Sequence, residues 1–119
     1  IEKYIPEDYE FDLPTELISL HEKKDFGKYA DQTGDVPVCF IGTNHTTGGN
    51  SGSPVLNKYG HLIGLNFDRV WEGTMSDLYY DPSICRNIML DIRYVLFIID
   101  KYAHANHLIN ELDIRQTTK

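Results

Sequence analysis

Residues 45–56 read HTTGGNSGSPVL, placing Gly48, Gly49 and Gly52 around a polar residue and two serines just before an apolar run. Adjacent glycines cost backbone entropy, so in an ordered region they mark a place where the main chain takes a shape, or makes an approach, that a Cβ would forbid. On a tight turn, the amides of a glycine and of the serine two residues later converge on one point, and paired N–H donors of this kind stabilise the oxyanion of a tetrahedral intermediate. Gly49 and Ser51 have that spacing. A serine presented there, with Gly52 letting the chain pass close behind it, is a candidate nucleophile. The competing reading is a glycine-rich connection leading into a hairpin, and the short motif taken alone favours that reading. A phosphate cradle is excluded, because no G-K-[ST] follows and no basic residue is near.

The elements that must position this turn are read from periodicity. Residues 14–27 open with Pro14 and Thr15, carry Glu16 early and Lys23 and Lys24 late, and predict a short helix ending near Gly27. Residues 36–42, VPVCFIG, have the β-branched and aromatic content of a buried strand. After the glycine turn, PVLNKYGHLIGLNF predicts a strand, a turn over residues 57–60 and a second strand. Farther on, Ile88, Ile92, Val95, Leu96, Ile99 and Ala103 recur at helical spacing, so a long helix is expected over about 83–113, with a break near Ala105 and Asn106. Tyr94, Phe97 and Ile98 project from its other sides, so it needs burial on several sides, more than a body of 119 residues readily supplies. The chain is therefore read as part of something larger.

Composition narrows the partners. A formal charge of −7, from 18 acidic and 11 basic residues, argues against nucleic acid and against anionic membrane surfaces. The longest apolar run, residues 95–99, is far shorter than the ~20 residues a spanning helix requires. Cys39 and Cys85 match no zinc spacing and read as buried free thiols, a single bridge being the alternative. His104, His107 and Glu111 fall at metal-ligand spacing on one stretch, but a single broken helix is a poor metal site, and no metal or other cofactor is assigned.

The pairing of TGGNSGSP with IGLNFDRVWEGTMSD, followed by the apolar C-terminal stretch, resembles the C-terminal part of the bacterial dipeptidyl-peptidases of the 7 and 11 type, peptidase family S46. The resemblance is clearest over residues 36–112. It implies a mainly β fold with α: the C-terminal barrel portion of a chymotrypsin-like double β-barrel plus a long C-terminal helix, in all an incomplete domain. Residues 36–78 would supply barrel strands and the nucleophile loop, and residues 83–113 the helical segment. The implied roles are Ser51 as nucleophile, the amides of Gly49 and Ser51 as oxyanion hole, and Asp68 as contact for the substrate's terminal ammonium. Arg69, eighteen residues after Ser51, falls where arginine selects an acidic side chain at the substrate's second residue and glycine an apolar one. A guanidinium offers a carboxylate a planar fork, which makes that selection physically sensible.

The family's base and its orienting aspartate lie upstream of this sequence, so the chain alone is expected to be inactive, with the remainder of the parent enzyme and peptides bearing a free N-terminus as partners. A homodimer stays open, and a periplasmic or cell-surface location is implied. His45 does not match the base, and His21 and His61 read as solvated or capping residues. Asn50 stands where digestive enzymes of this fold carry an aspartate that pairs with a new N-terminal ammonium, and an amide cannot make that ion pair. Glu72, Thr74, Ser76 and Asp77 are expected to shape the substrate-side loop, with Trp71 in a packing role. Neighbours on an extended strand point to opposite faces, so Asp68 and Arg69 can serve one substrate only if the chain bends there or the substrate lies across its edge. A glutamyl endopeptidase, which also uses a GNSGSP turn, and a noncatalytic binding module on the same fold remain alternatives.

Overall fold

The computed structural model describes residues 1–115 of the protein. Four strands, β1 (Cys39–Gly42), β2 (Pro54–Leu56), β3 (Leu62–Arg69) and β4 (Asn87–Asp91), form one antiparallel sheet in the order β1-β4-β3-β2. The hairpin of β2 and β3 follows from its turn residues. Asn57 accepts the N–H groups of Tyr59 at 2.9 Å and His61 at 3.0 Å on its side-chain oxygen, and Gly60 takes the φ of 79° that a side chain would resist.

Strand β4 corrects the sequence reading. The helix expected over about 83–113 begins only at Ile92, because residues 87–91 are paired on both sides, Leu90 opposite Cys39 of β1 and Leu65 of β3. Asn87, Met89 and Asp91 are buried on one face while Ile88 and Leu90 are half-buried on the other. A central strand covered on both faces has no solvent side to print a period of two into the sequence, so its apolar residues merge with the helical spacing that follows. The junction is made by Asp91, whose carboxylate accepts the Arg93 N–H at 2.9 Å and pairs with the Arg93 guanidinium at 2.7 Å. That cap starts α2 (Ile92–Phe97), which passes into a π-helical turn, Ile98–Tyr102. His104, with φ 51°, and Ala105 then interrupt the helix before α3 (Asn106–Asn110), at the break the sequence indicated.

Upstream, α1 (Thr15–Glu22) is shorter than expected, since Lys24 enters the left-handed region at φ 52° and turns the chain well before Gly27. The main core lies among these helical segments rather than inside a barrel. Phe26, Tyr29, Leu96, Phe97 and Ile109 are its buried residues, with Leu17, Leu20, Val36 and Ile92 packed against them. Phe26 and Phe97 meet edge to face at 6.0 Å. The Tyr29 hydroxyl donates to Asp100 at 2.8 Å, and burial, reinforced by that carboxylate, holds its pKa above the ordinary phenol value.

The protein is thus a mixed α and β structure built on an open four-stranded antiparallel sheet. Strands β1 and β2 are its edges. Residues 36–42 accordingly do not form a buried strand: Ile41 is 63% exposed and Cys39 is exposed, while Cys85 alone of the two free thiols is buried.

In the middle of the sheet Gly64 is required for close approach. A Cβ there would stand 2.6 Å from the Leu90 carbonyl oxygen and 2.9 Å from the Phe40 ring, and the first of these is main chain of the paired strand. Gly64→Ala should therefore force β3 and β4 apart, destabilising the chain by about 1–3 kcal/mol. A lower urea midpoint checks this, and an unchanged midpoint would contradict the packing described.

Candidate active site

Between β1 and β2 runs a loop, residues 43–53, with no regular secondary structure, and hydrogen bonds to its neighbours give it its shape. At its start Tyr80 donates to the Thr43 carbonyl, and buried Asn87 of β4 donates to the Asn44 carbonyl while accepting from the Thr46 hydroxyl at 2.6 Å. At its end Asn66 of β3 takes hold with three groups. Its carbonyl accepts the Gly52 N–H at 2.7 Å, its N–H donates to the Ser53 carbonyl at 2.9 Å, and its side-chain amide donates to the Asn50 carbonyl at 3.2 Å. Ser51 is thereby fixed from both sides.

The turn carrying Ser51 uses its glycines unequally. Gly49 and Gly52 adopt φ of 91° and 83°, whereas Gly48 has neither a left-handed φ nor a close neighbour that would demand the absence of a side chain. Asn50 closes the turn on itself by accepting the Thr47 N–H at 2.8 Å on its side chain. The Gly48 N–H donates to Asp77, the Asn50 N–H to the Thr47 carbonyl, and the Ser53 N–H to the Asn50 carbonyl. From Thr47 to Ser53, only the N–H groups of Gly49 and Ser51 lack an acceptor among the described residues. The Ser51 hydroxyl is exposed and donates to the Phe67 carbonyl at 3.3 Å.

Strand β3 carries the charged pair beside this turn. The register with β4 shifts between Asn66 and Asp68, so a bulge falls at Phe67. Asp68 and Arg69 themselves stay in regular register, opposite Ile88 and Asn87, so the bulge precedes the pair and does not divide it. Asp68 is exposed and accepts the N–H of Arg69 at 2.8 Å. The Arg69 side chain is 20% exposed, and its guanidinium meets Asp77 end-on in two parallel contacts of 2.9 Å, Nη1 to Oδ1 and Nη2 to Oδ2. Nη1 also donates to the Ser76 hydroxyl at 2.6 Å and approaches the Thr46 carbonyl at 3.4 Å. These bonds hold the Asp77 carboxyl below the usual carboxylate range and raise the Arg69 guanidinium further still.

Ser51 meets β3 at the Phe67 carbonyl, and Arg69 lies two residues farther along the same strand. The links from Arg69 to Thr46, and through Asp77 to Gly48, run into the same loop. Other expected residues fall elsewhere. The His45 ring packs against Tyr80 at 4.8 Å with Nε2 3.0 Å from the Ser76 carbonyl oxygen. Trp71 does not pack: it is 84% exposed in the 3-10 segment Trp71–Asp77. His104 pairs with Glu16 at 2.9 Å across the helix break that separates it from His107, and no group of three metal-ligating side chains forms among the described residues. Asn66 was not singled out from sequence, and Asp77 only as one of four loop residues. The usable signal was an acid eight residues after Arg69, on a segment short enough to fold back.

The sequence matches the protein family described as Peptidase S46 over residues 1–114. It is 70% identical over 114 residues to an Asp/Glu-specific dipeptidyl-peptidase of Flavobacterium psychrophilum, covering 96% of this chain and 16% of that protein. It is 49% identical over 116 residues to a dipeptidyl-peptidase 7 of Capnocytophaga gingivalis, again covering 16% of the relative. The structure superposes on DPP11 of Porphyromonas endodontalis in complex with the dipeptide Arg-Asp with a TM-score of 0.92 and 52% identity, over 96% of this chain and 16% of that one. The chain thus spans about a sixth of the length of the relatives it matches.

Two measurements test the geometry. Gly49→Ala, which must place a side chain at φ 91°, should cost about 1–2 kcal/mol, seen as a lower melting temperature. For Asp77, whose folded pKa lies below its ordinary 3.8, the stability it contributes is present above 3.8 and lost as pH falls through the lower folded value. The melting-temperature gap between the wild type and Asp77→Asn should then hold at neutral pH and close only in stronger acid; a gap that closes on raising pH would reverse the sign.

Proposed function

The chain belongs to the Peptidase S46 family, and on that premise we propose that it is part of a serine dipeptidyl-peptidase that releases N-terminal dipeptides whose second residue is Asp or Glu. The observation that carries this reading is the pair of unengaged amides, Gly49 and Ser51, on a turn whose other amides are all tied down. Donors fixed in advance and lacking a partner suit a charge that develops only in the transition state. Relatives named as Asp/Glu-specific dipeptidyl-peptidases support the substrate class.

In this mechanism the Ser51 oxygen attacks the carbonyl carbon of the second residue, and the carbonyl oxygen, now an anion, is held by the Gly49 and Ser51 amides. The Ser51 proton, which rests toward the Phe67 carbonyl, passes to a base and then to the leaving amine. Water completes the cycle by releasing the dipeptide from the acyl-enzyme. Arg69 takes the acidic side chain and Asp68 the terminal ammonium, the substrate lying across the edge of the strand so that neighbouring residues serve one ligand. An anion at a fixed distance from the scissile bond makes the site measure from a free N-terminus.

The base and its orienting aspartate belong to the remainder of the enzyme. His45, engaged by Tyr80 and the Ser76 carbonyl, does not fill that role. We assign the same remainder the strands that close the open edges of β1 and β2 into a chymotrypsin-like barrel. We assign it the walls of the site as well: a cavity of about 340 Å³ is lined by Leu17, Phe26, Val36 and Phe97 among others, and another of about 490 Å³ by Tyr4, Asp12 and Pro14 among others, and neither includes Ser51 or Arg69. A periplasmic or cell-surface location fits the proposal. No helix among the described residues is long and apolar enough to cross a membrane.

In the complete enzyme, Arg69→Gly should lower kcat/KM on Asp and Glu substrates roughly 10–100-fold, the worth of a charge-assisted hydrogen bond, while cleavage after apolar second residues persists. Equal loss on both would refute the specificity role. The isolated chain should release no detectable dipeptide, since removing the base costs several orders of magnitude, and substrates with blocked N-termini should resist the complete enzyme. Ready cleavage of blocked substrates would point instead to an endopeptidase.

A further inference from the structure

Arginine 69 has five N–H donors, and their use is uneven. Nη1 is committed to Asp77 and Ser76, and one Nη2 proton goes to Asp77. The Nε–H and the second Nη2–H, which lie parallel along one edge of the guanidinium plane, have no acceptor among the described residues. The end-on fork is thus filled from within the protein, and the side-on edge is the position where an added carboxylate could bind in two contacts without displacing anything.

From this geometry, and resting on the assignment of Arg69 to the acidic side chain, we infer that Asp77 is a second specificity-determining residue, which locks the guanidinium plane so that its Nε–Nη2 edge faces the substrate. Three observations support it. The pair is bidentate, so it fixes orientation as well as distance. Ser76, 4% exposed, and the Thr46 carbonyl brace Nη1 from the flank at 2.6 and 3.4 Å. Asp77 Oδ1 also accepts the Gly48 N–H at 3.3 Å, so one carboxylate spans the arginine and the turn that carries Ser51. An exposed ion pair with no such bracing would contribute little and specify nothing. Here the anion sets the angle at which a second anion is received, so acid selectivity depends on a residue that does not itself touch the substrate.

The test uses the complete enzyme carrying Asp77→Ala or Asp77→Asn, with dipeptidyl substrates that differ only in an acidic or an apolar second residue. Asp77→Ala should lower the acidic-to-apolar ratio of kcat/KM by about tenfold or more, carried by KM on the acidic substrate, and Asp77→Asn, which keeps one acceptor for Nη1, should recover part of the ratio. In a Ser51→Ala background, calorimetry with the free dipeptides Ala-Asp and Ala-Ala should give the same loss of discrimination without any chemistry. A proportionate fall on both substrates would reduce Asp77 to a support for the loop, and an unaltered ratio in either assay would overturn the inference. If the wild-type enzyme itself fails to prefer acidic substrates, the assignment of Arg69 fails first. If it prefers them and the Asp77 variants do too, only the role of Asp77 falls.

Discussion

The grip of Asn66 on the loop over residues 43–53 is the constraint from which the candidate site takes its shape. A loop with no ladder of its own must satisfy its main-chain groups from outside, and this residue supplies three contacts, at Asn50, Gly52 and Ser53, on both sides of Ser51. Because two of the three are backbone bonds, they depend on the register of β3 more than on its side chains. That register is set in turn by β4, which is paired along one edge to β1 and along the other to β3. Rigidity passes from the buried strand to its neighbour, and from there to a turn in solvent.

Polar side chains extend the same logic to the other half of the loop. Asn87, 3% exposed, holds Asn44 and Thr46 from within the sheet, and Arg69 reaches Thr46 from the end of β3. Buried amides of this kind are costly when unpaired and specifying when paired. Asn66 shows both sides: its amide nitrogen is used, while its side-chain oxygen is buried without a partner among the described residues. The sheet sets the position of the loop, and the amides set its conformation.

Much of this was legible from residue types. The hairpin followed from Asn57 and Gly60, and two of the three glycines near Ser51 are indeed in the left-handed region. Helical spacing from Ile92 onward and the interruption near Ala105 were also visible, because partly exposed helices keep their period. What stayed hidden was whatever burial or distance erases. Strand β4 lost its alternation by being covered on both faces. The exposure of Cys39 and Ile41 depended on β1 lying at an edge, and strand order is not encoded in the strand itself. The pairing of Arg69 with Asp77 arises from a 3-10 segment folding back on the strand end, and Trp71, expected to pack, is 84% exposed.

The bare edges of the sheet have a consequence for handling the molecule. Strands β1 and β2 present unpaired main-chain donors and acceptors flanked by exposed apolar side chains, Ile41 and Leu56 among them. Natural proteins cap or charge such borders, since an uncapped one is a template for adding strands from other molecules. At high concentration this chain on its own is therefore prone to edge-to-edge aggregation.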